Sequence, residues 1–193
     1  ADHKISEKLS LQYGLRYTHF ARLGGQPITE YLNDQPVVYN ELLEIYQRGT
    51  PIGQTEYARS EVIDDFGTLE PRLALSYRLN EFTSIKAGYS RVAQYIHLLS
   101  NTTSVTPLDV WTPSGPYVEP QLSDQFAVGF FKKFNNEYSL EVEGYYKNIY
   151  DRIDYIDGSD LIGNNTIETE ILTGDARAYG IEFLARKSAG RFT

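Results

Sequence analysis

The sequence of 193 residues contains no cysteine and no methionine, and it has a single tryptophan. Without cysteine it can form neither a disulfide framework nor a thiolate metal site, although an oxidising compartment outside the cytoplasm remains open to it. It also lacks any run of about eighteen apolar residues, which a membrane-spanning helix requires. These absences exclude a disulfide scaffold, a cysteine metal centre and helical insertion into a membrane.

Apolar and polar residues alternate in six stretches, near 7–20, 69–79, 82–95, 122–133, 138–150 and 176–187. Successive side chains of a strand point to opposite faces of a sheet, so each stretch predicts a strand with one apolar face. In the first stretch Leu11, Tyr13 and Leu15 share the apolar face. Alternation alone also fits a soluble sandwich with one buried face.

The aromatic residues favour a membrane over a soluble core, because they fall at both ends of the predicted strands. Near the long loops lie Tyr17, Phe20, Tyr89, Phe126, Tyr146 and Tyr179, and near the short turns lie Tyr77, Phe82, Phe134, Tyr138 and Phe192. Two such girdles are typical of a β-barrel at its two membrane interfaces. Stretches of roughly 9 to 13 residues also match a tilted transmembrane strand.

The connections alternate between long and short. Long loops are predicted at 21–66, 97–121 and 152–175, and tight turns near Asn80, Asn135 and Ser188. Outer-membrane barrels combine long extracellular loops with short periplasmic turns. The fold class predicted is therefore all-β, an antiparallel up-and-down transmembrane β-barrel.

Six strands are fewer than the smallest single-chain outer-membrane barrel, which has about eight. The chain also has no initiating methionine and no signal peptide. Either two further strands are hidden in the loop 21–66, or the chain is a piece of a larger barrel. We expect the second, so residues 1–193 are predicted to be part of one barrel domain, with the other strands supplied by a longer polypeptide.

The negative charge is concentrated in the loops. The three segments 21–66, 97–121 and 151–175 carry seventeen acidic and four basic residues, so their net charge is -13 within a total of -8. Nucleic acid is therefore not expected as a partner, because phosphate binding needs clustered Lys and Arg. A solvated loop surface is the preferred interpretation, and cationic ligands or divalent ions are the alternative.

Three segments resemble the β-barrel of TonB-dependent receptors. Residues 69–91 (LEPRLALSYRLNEFTSIKAGYSR) look like a barrel hairpin of that family, with a Pro-Arg start and a Tyr-Ser-Arg end. Residues 120–155 are similar to its next hairpin, and residues 176–193 resemble its Tyr-Gly-Ile-Glu strand. Between them, QYIHLLSNTT looks like versions from Bacteroidetes-type members.

The resemblance implies a bacterial outer-membrane receptor of roughly 22 strands, with a plug domain inside the barrel. It implies import of a scarce nutrient, of siderophore, cobalamin, peptide or glycan class, powered by the TonB complex. The partners implied are outer-membrane lipid, the rest of the barrel, the plug and the nutrient ligand. The chain departs from the family pattern in lacking a plug and a TonB-contact segment. No cofactor is expected.

Candidate ligand-binding residues lie where the third strand leaves the membrane and in the loop that follows. They are Arg91, Gln94, Tyr95, His97, Trp111 and Tyr117. Aromatic rings beside polar groups can stack on a flat ligand or a sugar. Gln94 continues the inward row, whereas Arg91, Tyr95 and His97 fall on the outward row unless a bulge reverses the alternation. Ordinary loop packing is the alternative for all six.

Acidic and basic residues elsewhere suggest two further sites. Asp151, Asp154, Asp157 and Asp160 are a weak candidate for binding calcium, but their spacing does not match an EF-hand loop, so no metal site is predicted. Charges on the polar rows are predicted to pair across strands, with attachment of the plug as the alternative. They are Arg16, Arg72, Arg78, Lys86, Glu141, Glu143, Lys147, Glu182 and Arg186.

Catalysis finds little support, because the sequence has no Gly-x-Ser-x-Gly elbow and no His-Glu-x-x-His motif. We therefore predict a receptor rather than an enzyme. The first alternative is a soluble all-β binding or adhesion module. The second is an outer-membrane hydrolase, for which Ser90, Ser100 or Ser104 would have to act with His97.

Overall fold

The computed structural model describes residues 1–100, 109–134 and 137–188. The middle of the predicted loop 97–121, the predicted turn at Asn135 and the predicted girdle residue Phe192 lie outside these residues. The strands in chain order are β1 Asp2–Lys4, β2 Leu9–Leu23, β3 Ile28–Tyr31, β4 Val37–Asn40, β5 Ile45–Arg48, β6 Pro51–Thr55, β7 Val62–Asn80, β8 Thr83–Gln94, β9 Ile96–Leu99, β10 Val110–Pro113, β11 Gln121–Phe134, β12 Tyr138–Tyr155 and β13 Ile171–Lys187.

Seven of these strands form one antiparallel sheet in the order β1-β2-β7-β8-β11-β12-β13. Apart from the short β1, each strand pairs with the next long strand along the chain, as in an up-and-down barrel. The prediction of six long antiparallel strands is confirmed. Three small hairpins, β3-β6, β4-β5 and β9-β10, lie outside this sheet.

The pairing register brings the predicted apolar rows together on one face. Tyr13 pairs with Leu73, and Leu73 pairs with Tyr89. From there an aromatic row continues across the sheet, because Tyr89 pairs with Phe126, Phe126 with Tyr146, and Tyr146 with Tyr179. Directly opposite residues share a face, so six strands present one continuous apolar surface.

This apolar face is not covered by a second sheet among the residues that the structure describes. Val128 is 58% exposed and Phe183 is 72% exposed. A soluble sandwich would bury the same rows between two sheets. The observed exposure fits a face that lipid covers in the membrane.

Two lysine side chains lie beside aromatic rings at the end of the apolar face that is nearest the short turns. The Lys132 ammonium lies 4.7 Å from the Phe134 ring centroid, and that of Lys187 lies 5.8 Å from the Tyr138 centroid. Phe134 and Tyr138 pair directly across β11 and β12. Long cationic side chains next to interfacial rings are typical of a membrane boundary, so this edge marks the short-turn interface.

The opposite face is polar, but its charges pair less than predicted. Arg16 contacts the fully buried Glu70 at 2.9 Å, and Thr18 donates a hydrogen bond to the same carboxylate at 2.6 Å. Within the described part of the chain, the other eight charges predicted to pair make no ion pair: Arg72, Arg78, Lys86, Glu141, Glu143, Lys147, Glu182 and Arg186. Glu143 lies directly opposite Glu182. The prediction of cross-strand pairing holds for Arg16 and is wrong for these eight.

The strands extend beyond the predicted boundaries on the long-loop side. β7 begins at Val62 rather than near 69, β12 continues to Tyr155, and β13 begins at Ile171. On this side the apolar alternation stops before the strands end, although the backbone pairing continues. The predicted loops 21–66, 97–121 and 152–175 are therefore shorter in the structure. The first contains the hairpins β3-β6 and β4-β5, and the second contains β9-β10.

Among the described residues, no helix combines the length and the apolar character needed to cross a membrane. The buried hydrophobic cluster of the molecule lies instead in the loops, around Leu99, Val118, Leu161 and Ile171. Val110, Ile153, Tyr155 and Ile167 pack around it. The loops thus have a hydrophobic core of their own, which holds the candidate ligand site in place.

Candidate ligand site

Three loop segments meet beyond the long-loop ends of the strands. We name them loop A (24–61), loop B (95–120, described at 95–100 and 109–120) and loop C (156–170). Leu99 and Val118 of loop B pack with Leu161 of loop C and with Ile171, the first residue of β13. This contact fixes loop B against loop C.

A buried carboxylate joins loop A to loop C. Glu170 of loop C is fully buried, and Arg48 at the end of β5 donates a hydrogen bond to it at 2.6 Å. The Asn164 amide and the backbone N–H of Asp160 donate to the same carboxylate at 3.1 Å each. The hydrogen bond to Glu170 raises the pKa of the Arg48 guanidinium. The hairpin β4-β5 is therefore anchored at its base.

A second contact between loops centres on Tyr31. Its hydroxyl donates to Glu168 of loop C at 2.9 Å, and its ring meets that of Tyr117 of loop B edge-on, with centroids 5.4 Å apart. Burial and the hydrogen bond to Glu168 raise the pKa of Tyr31. Burial, with the nearby carboxylate of Asp34, raises the pKa of Tyr117. Both phenols therefore stay protonated at neutral pH.

Tyr117 and Glu168 of this contact also line a cavity of 560 Å³ formed by all three loops. Its rings and apolar groups include Trp111, Tyr117, Ile28 and Val118. Its uncharged polar side chains are Gln26, Thr29, Gln54, Thr112, Asn164, Asn165 and Thr166. The described lining carries one cation, Arg22, and one anion, Glu168. The cavity is thus aromatic at one wall, rich in amides and close to neutral.

A second, larger cavity of 670 Å³ shares Pro116, Tyr117 and Glu168 with the first. Its lining includes Asp34, Glu119, Asp154, Glu168 and Asp175 but only one cation, Arg152. Burial, with the carboxylates of Asp151 and Asp64, raises the pKa of Glu119. The two cavities therefore differ in charge although they adjoin the same tyrosine.

Of the six predicted ligand residues, the structure brings Trp111 and Tyr117 together on the amide-rich cavity. Trp111 lies in β10 and is 66% exposed, so its ring is accessible. Gln94 ends β8, where its side chain donates to the carbonyl of Ile96 at 3.0 Å. Arg91 lies elsewhere, on the apolar face beside Tyr89, where Asp124 binds its guanidinium at 2.6 and 2.8 Å.

Tyr95 lies over the polar face. It interrupts the strand between β8 and β9, and its ring stacks on Phe20 with centroids 5.2 Å apart. Phe20 continues the row of Arg16 and Thr18, both of which contact Glu70. The alternation is thus reversed at Tyr95, as a local irregularity in the strand would do. The assignment of Phe20 to the aromatic girdle is wrong, because this ring lies on the polar face.

His97 is buried in loop B, and its Nε2 lies 3.2 Å from the hydroxyl of Ser114. Burial lowers the pKa of His97. Ser114 is itself fully buried. The serine that the structure places beside His97 is Ser114, which the sequence analysis did not name; Ser104 lies outside the described residues. The pair packs β9 against β10.

The four aspartates of the weak calcium candidate do not converge. Asp151 sits at the irregularity of β12 with a positive φ of 54°. Asp154 accepts a hydrogen bond from the backbone of Tyr155, and Asp160 accepts one from Ile162. Across the described ranges, no three His, Cys, Asp or Glu side chains are placed to hold a metal ion.

Sequence reasoning missed the cavity residues of loops A and C, notably Gln26, Gln54 and Asn164. They come from segments far apart in the chain, and nothing in the local sequence pattern signals that they meet. The composition offered one usable signal, since Asn164, Asn165 and Thr166 are consecutive polar residues.

Comparisons with known proteins agree with this architecture. The family model of the TonB dependent receptor-like β-barrel matches residues 1–193. No curated protein matches the chain. The Serratia marcescens hemophore receptor HasR, solved as a double mutant with its hemophore HasA and heme, is similar at 16% identity with a TM-score of 0.55. The match covers 94% of this chain and 30% of HasR.

The copper transporter OprC is similar at 15% identity with a TM-score of 0.48, over 96% of this chain and 25% of OprC. The chain thus spans less than a third of the length of both solved proteins.

Proposed function

Because this chain belongs to the β-barrel family of TonB-dependent receptors, we propose that it forms one side of an outer-membrane receptor that binds a scarce nutrient and imports it. The observation that carries this proposal is the cavity between loops A, B and C. It lies on the long-loop side of the sheet, which faces outward in this architecture. Loops held by a rigid barrel are the usual place for ligand-binding groups.

The lining of the 560 Å³ cavity favours a neutral, ring-bearing ligand such as a glycan over the siderophore, cobalamin and peptide classes. Trp111 and Tyr117 offer rings for stacking. Four amides and three hydroxyls offer both donors and acceptors, which suit a ligand rich in hydroxyl groups. Arg22 and Glu168 have opposite charges, so the cavity has little preference for a charged ligand.

The plug domain of the family is the partner proposed for the polar face. Eight charges there have no ion-pair partner within the described residues. Glu143 and Glu182 even lie opposite one another, an arrangement that destabilises a sheet unless a cation lies nearby. A plug that presents basic side chains to β12 and β13 would supply that cation.

Ligand binding by the purified full-length receptor tests the nutrient proposal. Neutral oligosaccharides, a ferric siderophore, cobalamin and short peptides are titrated against wild type, Trp111→Ala, Tyr117→Ala and a control, Leu32→Ala, which changes an exposed residue outside the cavity lining. We expect oligosaccharide binding that weakens about tenfold in each aromatic variant, equivalent to roughly 1.4 kcal/mol, and stays unchanged in the control. Equal affinity in all four proteins contradicts the assignment of the cavity.

Uptake of the same ligand by cells tests the import step. We expect deletion of TonB to abolish uptake while binding to the purified receptor persists. Uptake that continues without TonB contradicts the proposed function.

A further inference from the structure

The hairpin β4-β5 of loop A carries an apolar tip that nothing in the described structure covers. Leu42 is 95% exposed, and Leu43 beside it is also exposed. Behind them, the rings of Tyr39 and Tyr46 pair across the strands with centroids 5.0 Å apart, and both are half exposed. Isolated apolar residues on a surface are ordinary, but a contiguous leucine and tyrosine patch marks an interaction site.

The tip is held in one shape although its side chains face solvent. The Asn40 carboxamide oxygen accepts hydrogen bonds from the backbone of Leu42 and Leu43 at 3.0 and 3.1 Å, and its amide donates to Gln47 at 2.9 Å. At the base, Arg48 is anchored to the buried Glu170. A turn ordered in advance loses less entropy on binding, as expected of a recognition loop.

The charges around the tip indicate what it binds. Glu41 and Glu44 directly flank the two leucines, and loop A as a whole is acidic. A second copy would present the same acidic tip, and an anionic membrane surface would likewise repel it. An apolar groove with a basic rim complements both the leucines and the glutamates.

We propose that the β4-β5 hairpin tip, residues 39–46, docks into an apolar, basic-rimmed groove of a second protein at the cell surface. Leu42 and Leu43 enter the groove, and Glu41 and Glu44 pair with its rim. Arg48 acts as a positioning residue, because it holds the base of the hairpin on loop C. This role does not depend on which nutrient occupies the cavity.

Photo-crosslinking in living cells identifies the partner. A photoreactive amino acid is placed at position 42 of the full-length receptor and, as a control, at Ile162, an exposed apolar residue of loop C. We expect one different protein to cross-link from position 42 and not from position 162. Adducts with another segment of the same receptor chain, with receptor copies alone, with lipid alone, or with nothing overturn the proposal.

Binding of the identified and purified protein to the full-length receptor then measures the docking. We expect Leu42→Ala/Leu43→Ala to weaken the affinity roughly 30-fold or more, as for hot-spot residues, and Ile162→Ala to leave it unchanged. Glu41→Lys/Glu44→Lys should weaken binding and remove its salt dependence, and Arg48→Gln should weaken it less. Unchanged affinity in both tip variants overturns the proposal. Nutrient binding by the same variants separates this result from failure of the receptor function.

Discussion

Apolar residues are exposed on the sheet and buried in the loop cluster. In the sheet, Val128 and Phe183 lie exposed on a continuous apolar face. In the loops, Leu99 and Val118 are almost fully buried around a small core. The difference fits a chain that meets two solvents, because an exposed apolar face suits contact with lipid, whereas water drives the loops to bury their own core.

We expect the largest loss of stability from a substitution in the loop core. Leu99→Ala should destabilise the packing of loops B and C by about 2 to 5 kcal/mol, because it leaves a cavity in a close-packed cluster. Hydrogen exchange of residues 96–99 and 110–113 in the full-length receptor measures the loss. The control is Val128→Ala on the lipid face, where lipid chains fill the space; an equal loss in both variants would break the distinction between the two regions.

A charge on the lipid face should have the next largest effect. Val128→Arg is expected to destabilise the barrel by about 2 to 4 kcal/mol, since an arginine near the bilayer midplane is costly. Urea unfolding of the receptor in phospholipid vesicles measures this loss of stability. Gln125→Arg on the polar face serves as the matched control. If the two arginines cost the same, the two faces of β11 do not differ in solvent.

Removal of the loop A anchor should affect one hairpin only. Arg48→Met leaves the Glu170 carboxylate with fewer donors and frees the base of β4-β5. We expect faster protease cleavage within residues 37–48 and no change in the thermal stability of the barrel. A barrel that melts earlier would show that the loops and the sheet are one cooperative unit.

The smallest effect concerns pH. Burial lowers the pKa of His97 below its ordinary value of 6.5. As the pH falls below 6.5, the unfolded loop therefore binds a proton before the folded loop does, and the folded loop loses stability; above 6.5 both forms are neutral and nothing is lost. Hydrogen exchange of residues 96–99 should accelerate at acidic pH beyond its intrinsic pH dependence. His97→Gln should remove this excess, and an excess that persists would assign it to another group.

Much of the sheet could be predicted from the sequence, because alternation survives wherever one face meets lipid. The predicted apolar rows that contain Leu73, Phe126 and Tyr179 lie on one face because consecutive long strands pair with one another. The upper ends of β7 and β12 could not be predicted, since above the membrane neither face has to be apolar. Phe20 was misassigned to the aromatic girdle because its position near the end of the strand resembles that of a girdle residue. Only its stacking on Tyr95 places it on the polar face.

The candidate site was predictable only in part. Trp111 and Tyr117 attract attention as aromatics in a loop, and both line the cavity. Gln54 and Asn164 reach the same cavity from other loops, and Arg48 reaches Glu170 across 122 residues of sequence. Such contacts depend on how folded loops pack, and no local periodicity encodes them.

A cysteine scan along β11 shows directly whether one face of the sheet meets lipid. Residues 1–193 contain no cysteine. Once any cysteine elsewhere in the full-length receptor is replaced, single spin labels can be placed at residues 125 to 130 of the receptor in lipid vesicles. The account predicts a period of two, in which labels at 126, 128 and 130 are accessible to oxygen dissolved in lipid and labels at 125, 127 and 129 are not. Equal accessibility to oxygen along the strand would contradict a lipid-facing sheet. So would a water-soluble relaxation agent that reaches the labels on both faces of the strand.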